Sequence, residues 1–261
     1  MLKKLIKKMF VPRPTRLQHE IARIGELEFE VLKHTWFWKK FNKGLWEKPT
    51  FDFYKRNVSP LYEVVDIGAW IGPTVFIAYA NNPAFIHAVE ADTVNFHNLN
   101  YNVQKNFINH KIRLNNLCIY SVSGETVSFG NIENISCSSQ KQINLNRKGQ
   151  TPEIQTITLE DYLKTKDMSR INIVKIDIEG GEQFIEDGLD YISKNHPEIG
   201  LKVLLSVHVG FFADKTATKE MLLRQIEKFE LFDENENPME IETFKEHFDN
   251  VGFFAIVLKT R

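Results

Sequence analysis

Hydrophobic and polar positions fall into two regimes along the chain. From residue 64 onward, short apolar runs alternate with amphipathic stretches. Strands are predicted at 64–67, 85–90, 112–119, 171–178, 202–208, 230–233 and 253–259, and helices at 73–80, 93–102, 158–163, 182–193 and 216–229. Strand and helix in regular alternation predict a doubly wound α/β domain, a mostly parallel sheet with helices on both faces. The alternation lapses between 120 and 155. Ser- and Asn-rich sequence there carries two short alternating runs around Ser123-Gly124, which predicts an inserted hairpin followed by a loop.

Before residue 58 the pattern differs. Residues 17–57 read as helical and carry Trp36, Phe37, Trp38, Phe41, Trp46, Phe51, Phe53 and Tyr54, an aromatic load that must bury against one edge of the following domain. Leu2, Leu5, Ile6, Met9 and Phe10 recur at helical spacing with lysines between them, and Pro12 and Pro14 stop the run. A short basic helix of this kind packs on the domain or on a partner chain. The alternative is a weak peripheral membrane contact through residues 1–10. The chain is therefore divided into a basic, aromatic-rich helical extension, 1–57, and a domain, 58–261, with its insertion near 120–155.

Composition narrows the class. The chain is 43% hydrophobic and 26% charged with net charge -1, which excludes a disordered chain and a globally basic nucleic-acid-binding surface. The charge is uneven: residues 1–60 hold 14 Lys/Arg against 6 Asp/Glu. Cys118 and Cys137 form neither a disulfide framework nor a metal-binding pattern, and no run approaches the roughly 20 apolar residues of a membrane span. A cytoplasmic protein is expected.

Candidate chemistry begins at Asp66-x-Gly68-x-x-x-Gly72, which closes the strand at 64–67 and opens a helix, the place where a doubly wound sheet binds its ligand. Gly68, Ala69 and Gly72 let the backbone turn tightly and approach a ligand. Glu90 ends the next strand, 18 residues after Gly72, where a carboxylate can accept hydrogen bonds from both ribose hydroxyls. Adenine is expected beside Ala91 and near Asn116. Nicotinamide dinucleotides use the same architecture, but their fingerprint places glycine where Trp70 stands, and an indole there obstructs a pyrophosphate. Asp66 disfavours phosphate and suits the ammonium and sulfonium of S-adenosylmethionine. That cofactor is the expectation, with a nicotinamide-dependent oxidoreductase as the alternative. A plain strand-turn-helix without ligand is the bland reading, and Glu90 in register weighs against it.

Three pieces of the sequence resemble the FkbM family of class I methyltransferases. Val65-Asp66-Ile67-Gly68-Ala69-Trp70-Ile71-Gly72, with Trp46-Glu47 upstream, is similar to that family's D-I-G-A-x-x-G. Ala88-Val89-Glu90-Ala91-Asp92 is similar to A-V-E-P, with Ala91 in place of proline. Ile157-Thr158-Leu159-Glu160-Asp161-Tyr162-Leu163 followed by Val174-Lys175-Ile176-Asp177-Ile178-Glu179-Gly180-Gly181-Glu182 resembles T-L-D-D-L and K-I-D-V-E-G-A-E. The resemblance implies a seven-stranded, Rossmann-like class I fold and methyl transfer, commonly to an oxygen of a sugar, a polyketide or another small molecule.

Such a transfer benefits from a positioned base. Asp177, Glu179 and His208 gather where the strands at 171–178 and 202–208 end, and side-chain alternation would point Asp177 and Glu179 the same way. They are the candidate catalytic residues. The same three could instead hold Mg²⁺ and acidify an acceptor hydroxyl, or Glu179 and Glu182 could serve only as acids at a helix N-terminus. Phe211-Phe212 reads as acceptor-pocket wall or as core. The expected acceptor is a glycan or small molecule rather than nucleic acid. Asp177-Ile178-Glu179-Gly180 stands where base-methylating enzymes carry an Asn/Asp-Pro-Pro-aromatic motif, and the acidic cluster repels phosphates. A non-catalytic scaffold that docks through the basic N-terminus is the alternative from another class.

Overall fold

The computed structural model describes residues 17–34, 36–131, 141–143 and 153–261; the basic stretch at 2–10 and Cys137 lie outside them. The described chain begins with a hairpin, β1 (His19–Ile24) and β2 (Leu27–Leu32), paired antiparallel about Gly25-Glu26. This corrects the helical reading of the start of 17–57. Ala22, Phe29 and Val31 are buried with half-buried or exposed residues between them, a period of two. Helix-favouring Glu28 and Glu30 alternate with Phe29 and Val31, and with Glu20 and Glu26 nearby they mask that period at the sequence level. Helices α1 (Phe37–Asn42) and α2 (Lys48–Asn57) follow, the second with Pro49 in its first turn, where a missing N–H costs nothing.

The alternating region then builds β3 (Glu63–Ile67), α3 (Pro73–Ala80), β4 (Phe85–Val89), α4 (Thr93–Lys105) and β5 (Ile112–Asn115). The strand expected over 112–119 breaks after Asn115, and β6 (Cys118–Ile119) joins a separate small sheet with β7 (Thr126–Asn131), β8 (Lys141–Ile143) and β9 (Glu153–Ile157). This small sheet occupies the predicted insertion. The main domain resumes with α5 (Leu159–Lys164), β10 (Ile171–Ile176), α6 (Glu186–Lys194), β11 (Lys202–Val207), α7 (Lys215–Ile226), β12 (Phe229–Asp233), α8 (Ile241–Asn250) and β13 (Phe254–Thr260). Seven strands form one sheet in the order β12-β13-β11-β10-β3-β4-β5, parallel except where β13 runs antiparallel between β11 and β12. The doubly wound, mostly parallel α/β expectation holds.

Alternation along the strands feeds two cores. Val65, Ile67, Val174, Ile176 and Leu205 pack with Leu189 and Ile192 of α6, Leu222 of α7 and Phe244 of α8. Val64, Ile86, Ala88, Ile173 and Leu204 face the other way, against α3, α4 and the segment 17–57, which contributes Phe29, Val31, Phe37, Trp38, Phe41, Phe53 and Tyr54. The N-terminal segment thus covers a sheet face rather than an edge. Asn102 of α4, fully buried, pins it: its Oδ1 accepts from Leu32 N at 2.7 Å and its Nδ2 donates to Ile71 O at 3.0 Å. Among the described residues no helix is long and apolar enough to cross a membrane.

Candidate active site

The C-terminal ends of β3, β4, β10 and β11 open on a cavity of about 650 Å³, a volume suited to small ligands. Its first wall is the turn after β3. Gly68 N and Ala69 N both donate to Val89 O at 2.9 Å, which fastens that turn to β4. Gly68 has φ +88 and sits so close to β10 that a Cβ there would lie 1.8 Å from Asp177 O. Gly72, at φ +106, is similarly pressed on Leu99 of α4. Gly68 is therefore required by the neighbouring strand and Gly72 by its left-handed backbone, and of the two only Gly68 lines the cavity.

Glu90 lies where the ribose reading expects it. Its Oε2 accepts from Trp70 N and its Oε1 from Asp92 N, each at 2.8 Å, so the carboxylate is held at the cavity edge by the two loops that flank it. Ala91 lines the cavity beside it, with Asp92, Asn95, Leu117, Cys118, Ile119, Tyr120 and Phe184 continuing the wall. Asn116 does not line it. Its Nδ2 donates to Glu90 O at 2.8 Å and Ala91 O at 3.1 Å, which fixes the turn from behind.

Asp66 also lies behind the wall. It is fully buried, and its Oδ2 accepts from Thr74 Oγ1 at 2.5 Å. In the β3–β10 register it stands opposite Lys175, whose Nζ is 3.8 Å from Asp66 Oδ1 and 3.0 Å from Asp177 Oδ2. A buried ammonium is thereby shared by two carboxylates. Burial pushes the Asp66 carboxyl up against the pull of Lys175. Burial works against ionising Asp177 too, but Lys175 and His208 outweigh it and hold its carboxyl below the usual range.

His208 follows β11 and is clamped on both nitrogens. Nδ1 lies 2.9 Å from Glu182 Oε1 and Nε2 lies 3.5 Å from Asp177 Oδ1. Burial lowers its proton affinity, yet the hydrogen bond and charge of Glu182 and the charge of Asp177 more than offset this and raise it. Glu182 is itself buried and accepts from Gly180 N at 2.7 Å and Ile178 N at 3.2 Å, so it ties the loop after β10 to His208. Because β10 ends at Ile176, strand alternation does not extend to Glu179. Asp177, Glu179 and His208 nevertheless all line the cavity. They are not brought together as a metal-binding group, and among the described residues no cluster of three or more His, Cys, Asp or Glu is so arranged.

Much of the remaining wall, His34, Trp36, Phe37, Glu47 and Phe253, comes from residues that the sequence did not place in the site, whereas Phe211 stands where a pocket wall was one of its two readings. Trp36, Phe37, Trp46 and His34 line the cavity from the N-terminal segment, and Trp70 packs on Phe37 and His34 with ring centroids 4.5 and 5.3 Å apart. Phe211 and Phe253 face His208 from the opposite side, at 6.1 and 4.8 Å. Phe212, the other half of the pair, belongs to the buried core and also lines the cavity. Glu47, the residue before α2, carries its carboxyl into the same cavity, with Oε2 accepting from Thr50 Oγ1 at 3.1 Å. Burial and the nearby Asp177 push that carboxyl up to about 7 despite Lys175 and His208. The backbone at Glu47, Trp70 and Glu179 is left-handed, with φ 36, 50 and 50, so unfavourable conformations gather at the cavity rim.

These residues suit S-adenosylmethionine. Glu47, Glu90, Asp92, Asp177 and Glu179 line the cavity against Lys175 and His208, an acidic set that favours a cationic ligand over a pyrophosphate. Asn95, which lines the cavity, has its Nδ2 buried without a hydrogen bond, a donor of the kind a bound polar ligand or water satisfies. Leu117, Ile119, Tyr120 and Phe184 offer apolar surface for a purine.

A family model described as the methyltransferase FkbM domain matches residues 66–237. No curated protein matches the sequence. Among solved structures, a candidate rRNA methylase from Clostridium thermocellum has a TM-score of 0.50 at 10% identity, covering 82% of this chain and 95% of its own. A candidate methyltransferase from Streptococcus mutans in complex with SAH has a TM-score of 0.49 at 10% identity, covering 82% of this chain and 97% of its own. At 10% identity the likeness to the first of these is one of fold.

Proposed function

The chain belongs to the FkbM methyltransferase domain family and is an S-adenosylmethionine-dependent methyltransferase; we propose that its acceptor is a hydroxyl of a carbohydrate or a related small neutral molecule. The observation that carries this reading is the union in one cavity of the Gly68–Glu90 cofactor wall, the Asp177–His208 pair and an aromatic wall. Bound S-adenosylmethionine supplies a methyl group on a cationic sulfur, ready for attack by a lone pair.

The chain's own residues do the rest. Glu90 and the backbone around Gly68 hold the ribose and the amino-acid portion. Asp177, kept ionised by Lys175, accepts a hydrogen bond from a hydroxyl of the acceptor next to the one that reacts, and His208 fixes the carboxylate's orientation. Trp36, Trp46, Phe211 and Phe253 exclude water and present flat faces to the C–H side of a sugar ring. The acidic lining repels phosphorylated acceptors, which favours neutral glycans over sugar phosphates and nucleic acid.

Calorimetric titration with S-adenosylmethionine and S-adenosylhomocysteine, followed by a labelled-methyl assay across neutral sugars, sugar phosphates and oligonucleotides, tests the proposal. The expected result is saturable binding of both and transfer to a neutral sugar in a base-stable ether linkage. Transfer only to a phosphorylated acceptor or to nitrogen would sink it.

A further inference from the structure

We propose that the Glu47 carboxylate takes the proton from the acceptor hydroxyl during transfer. The inference rests on the methyltransferase reading above and names a residue that neither the strand-end motifs nor the cofactor wall pointed to. The acceptor O–H bond breaks with its electron pair left on oxygen. That pair forms the new O–CH₃ bond while the methyl–sulfur bond breaks, its electrons neutralise the sulfonium, and the proton stays on Glu47.

Geometry and elimination converge on this residue. Glu47 lines the cavity together with Asp177 and His208. Its side chain is carried there by a left-handed residue, φ 36 and ψ 56, that immediately precedes α2, and its Oε1 has no hydrogen bond among the described residues. The other protonatable groups of the wall suit the task less well. Lys175 is raised by Asp177 and Asp66 against its own burial and keeps its proton. His208 has both ring nitrogens engaged, Nδ1 by Glu182 and Nε2 by Asp177, and so has no free nitrogen to receive a proton. Asp177 is paired with both and is too weak a base. Burial pushes the Cys118 thiol up to about 12.

Glu47, pushed up to about 7, changes charge where an enzyme at neutral pH needs a base to. The charged and titratable groups that set its affinity are Asp177, Lys175 and His208 from the sheet, and Thr50 holds one oxygen from α2. Tyr54, on the same helix, is buried with its hydroxyl unpaired and senses the Glu47 charge in turn.

A group so placed should register a cation entering the cavity, even with no acceptor present. Calorimetry at about pH 6.5, just below the Glu47 midpoint, in buffers of different ionisation enthalpy counts protons released on binding. S-adenosylmethionine, a sulfonium, should release about half a proton more than the neutral thioether S-adenosylhomocysteine. The difference should vanish in Glu47→Gln, which keeps an oxygen for Thr50 and should still bind both ligands, and should persist in Glu47→Asp. On a sugar that the wild type methylates, Glu47→Gln should lower kcat at least 100-fold with little change in the acceptor KM, and Glu47→Asp should recover part of it.

Equal proton release from the two ligands overturns the inference, as does its loss in Glu179→Gln rather than Glu47→Gln. Turnover by Glu47→Gln within threefold of wild type overturns it too. Failure of the wild type to bind either ligand refutes instead the methyltransferase reading on which the inference stands.

Discussion

Lys175 shows how a single residue can hold two functions in one place. Its ammonium is buried between Asp66 under the turn after β3 and Asp177 at the end of β10, so it couples two walls of the cavity. Removing one member of such a group leaves uncompensated charge in the interior. Lys175→Met is expected to cost about 3–5 kcal/mol in urea unfolding, and Lys175→Met combined with Asp66→Asn to cost less than the single change. Glu47 has the opposite sign. Its folded pKa of about 7 exceeds the ordinary 4.5, so between these values the native state holds a proton that the unfolded chain has released, and stability falls as pH rises through that window. Glu47→Gln should therefore be more stable than wild type at about pH 8, by up to about 3 kcal/mol, and no more stable near pH 4. A thermal melt series across pH reads the difference directly. Asp66, Glu90, Asp177 and His208 were legible in the sequence because each sits at a strand end. The partnership of Lys175 with Asp66 was not, because it depends on strand register, and the place of Glu47 depends on how 17–57 folds back.

At the scale of elements, periodicity identified the strands and helices of the alternating region and failed where a short hairpin carried strong helix formers at its outward positions. Boundaries mattered as well. Ending β10 at Ile176 rather than at 178 moves Glu179 from a strand into a left-handed turn, which removes the alternation argument without removing the residue from the cavity. The hairpin's attachment is concentrated at Asn102, which satisfies Leu32 N and Ile71 O from a fully buried side chain. Asn102→Ala leaves both groups unpaired in the interior, at a cost of about 2–3 kcal/mol in denaturant unfolding. Because Ile71 belongs to the cofactor turn, the same variant should weaken S-adenosylhomocysteine binding. An unchanged dissociation constant would show that the hairpin does not support the turn.

For the whole molecule, the division into an extension before residue 58 and a domain after it follows composition, but burial does not follow it. Phe37, Trp38, Phe41, Phe53 and Tyr54 form one core with Val64, Val75, Phe76 and Ile86, and Trp36, Trp46 and Glu47 complete the cavity. Each large aromatic buried there contributes roughly 2–3 kcal/mol, and the five together exceed the net stability of a typical domain, about 5–15 kcal/mol, at its lower end. A fragment spanning residues 58–261 would leave one face of the seven-stranded sheet open to water. It is expected to lose cooperative unfolding, bind an apolar dye and bind no S-adenosylmethionine, even though it contains every residue of the 66–237 family match. A fragment that instead melts cooperatively and binds the cofactor with native affinity would mean that the N-terminal segment serves the acceptor alone. In the structure the segment both covers the sheet and lines the cavity, because its aromatic side chains pack on the sheet while Trp36, Trp46 and Glu47 stand in the cavity wall.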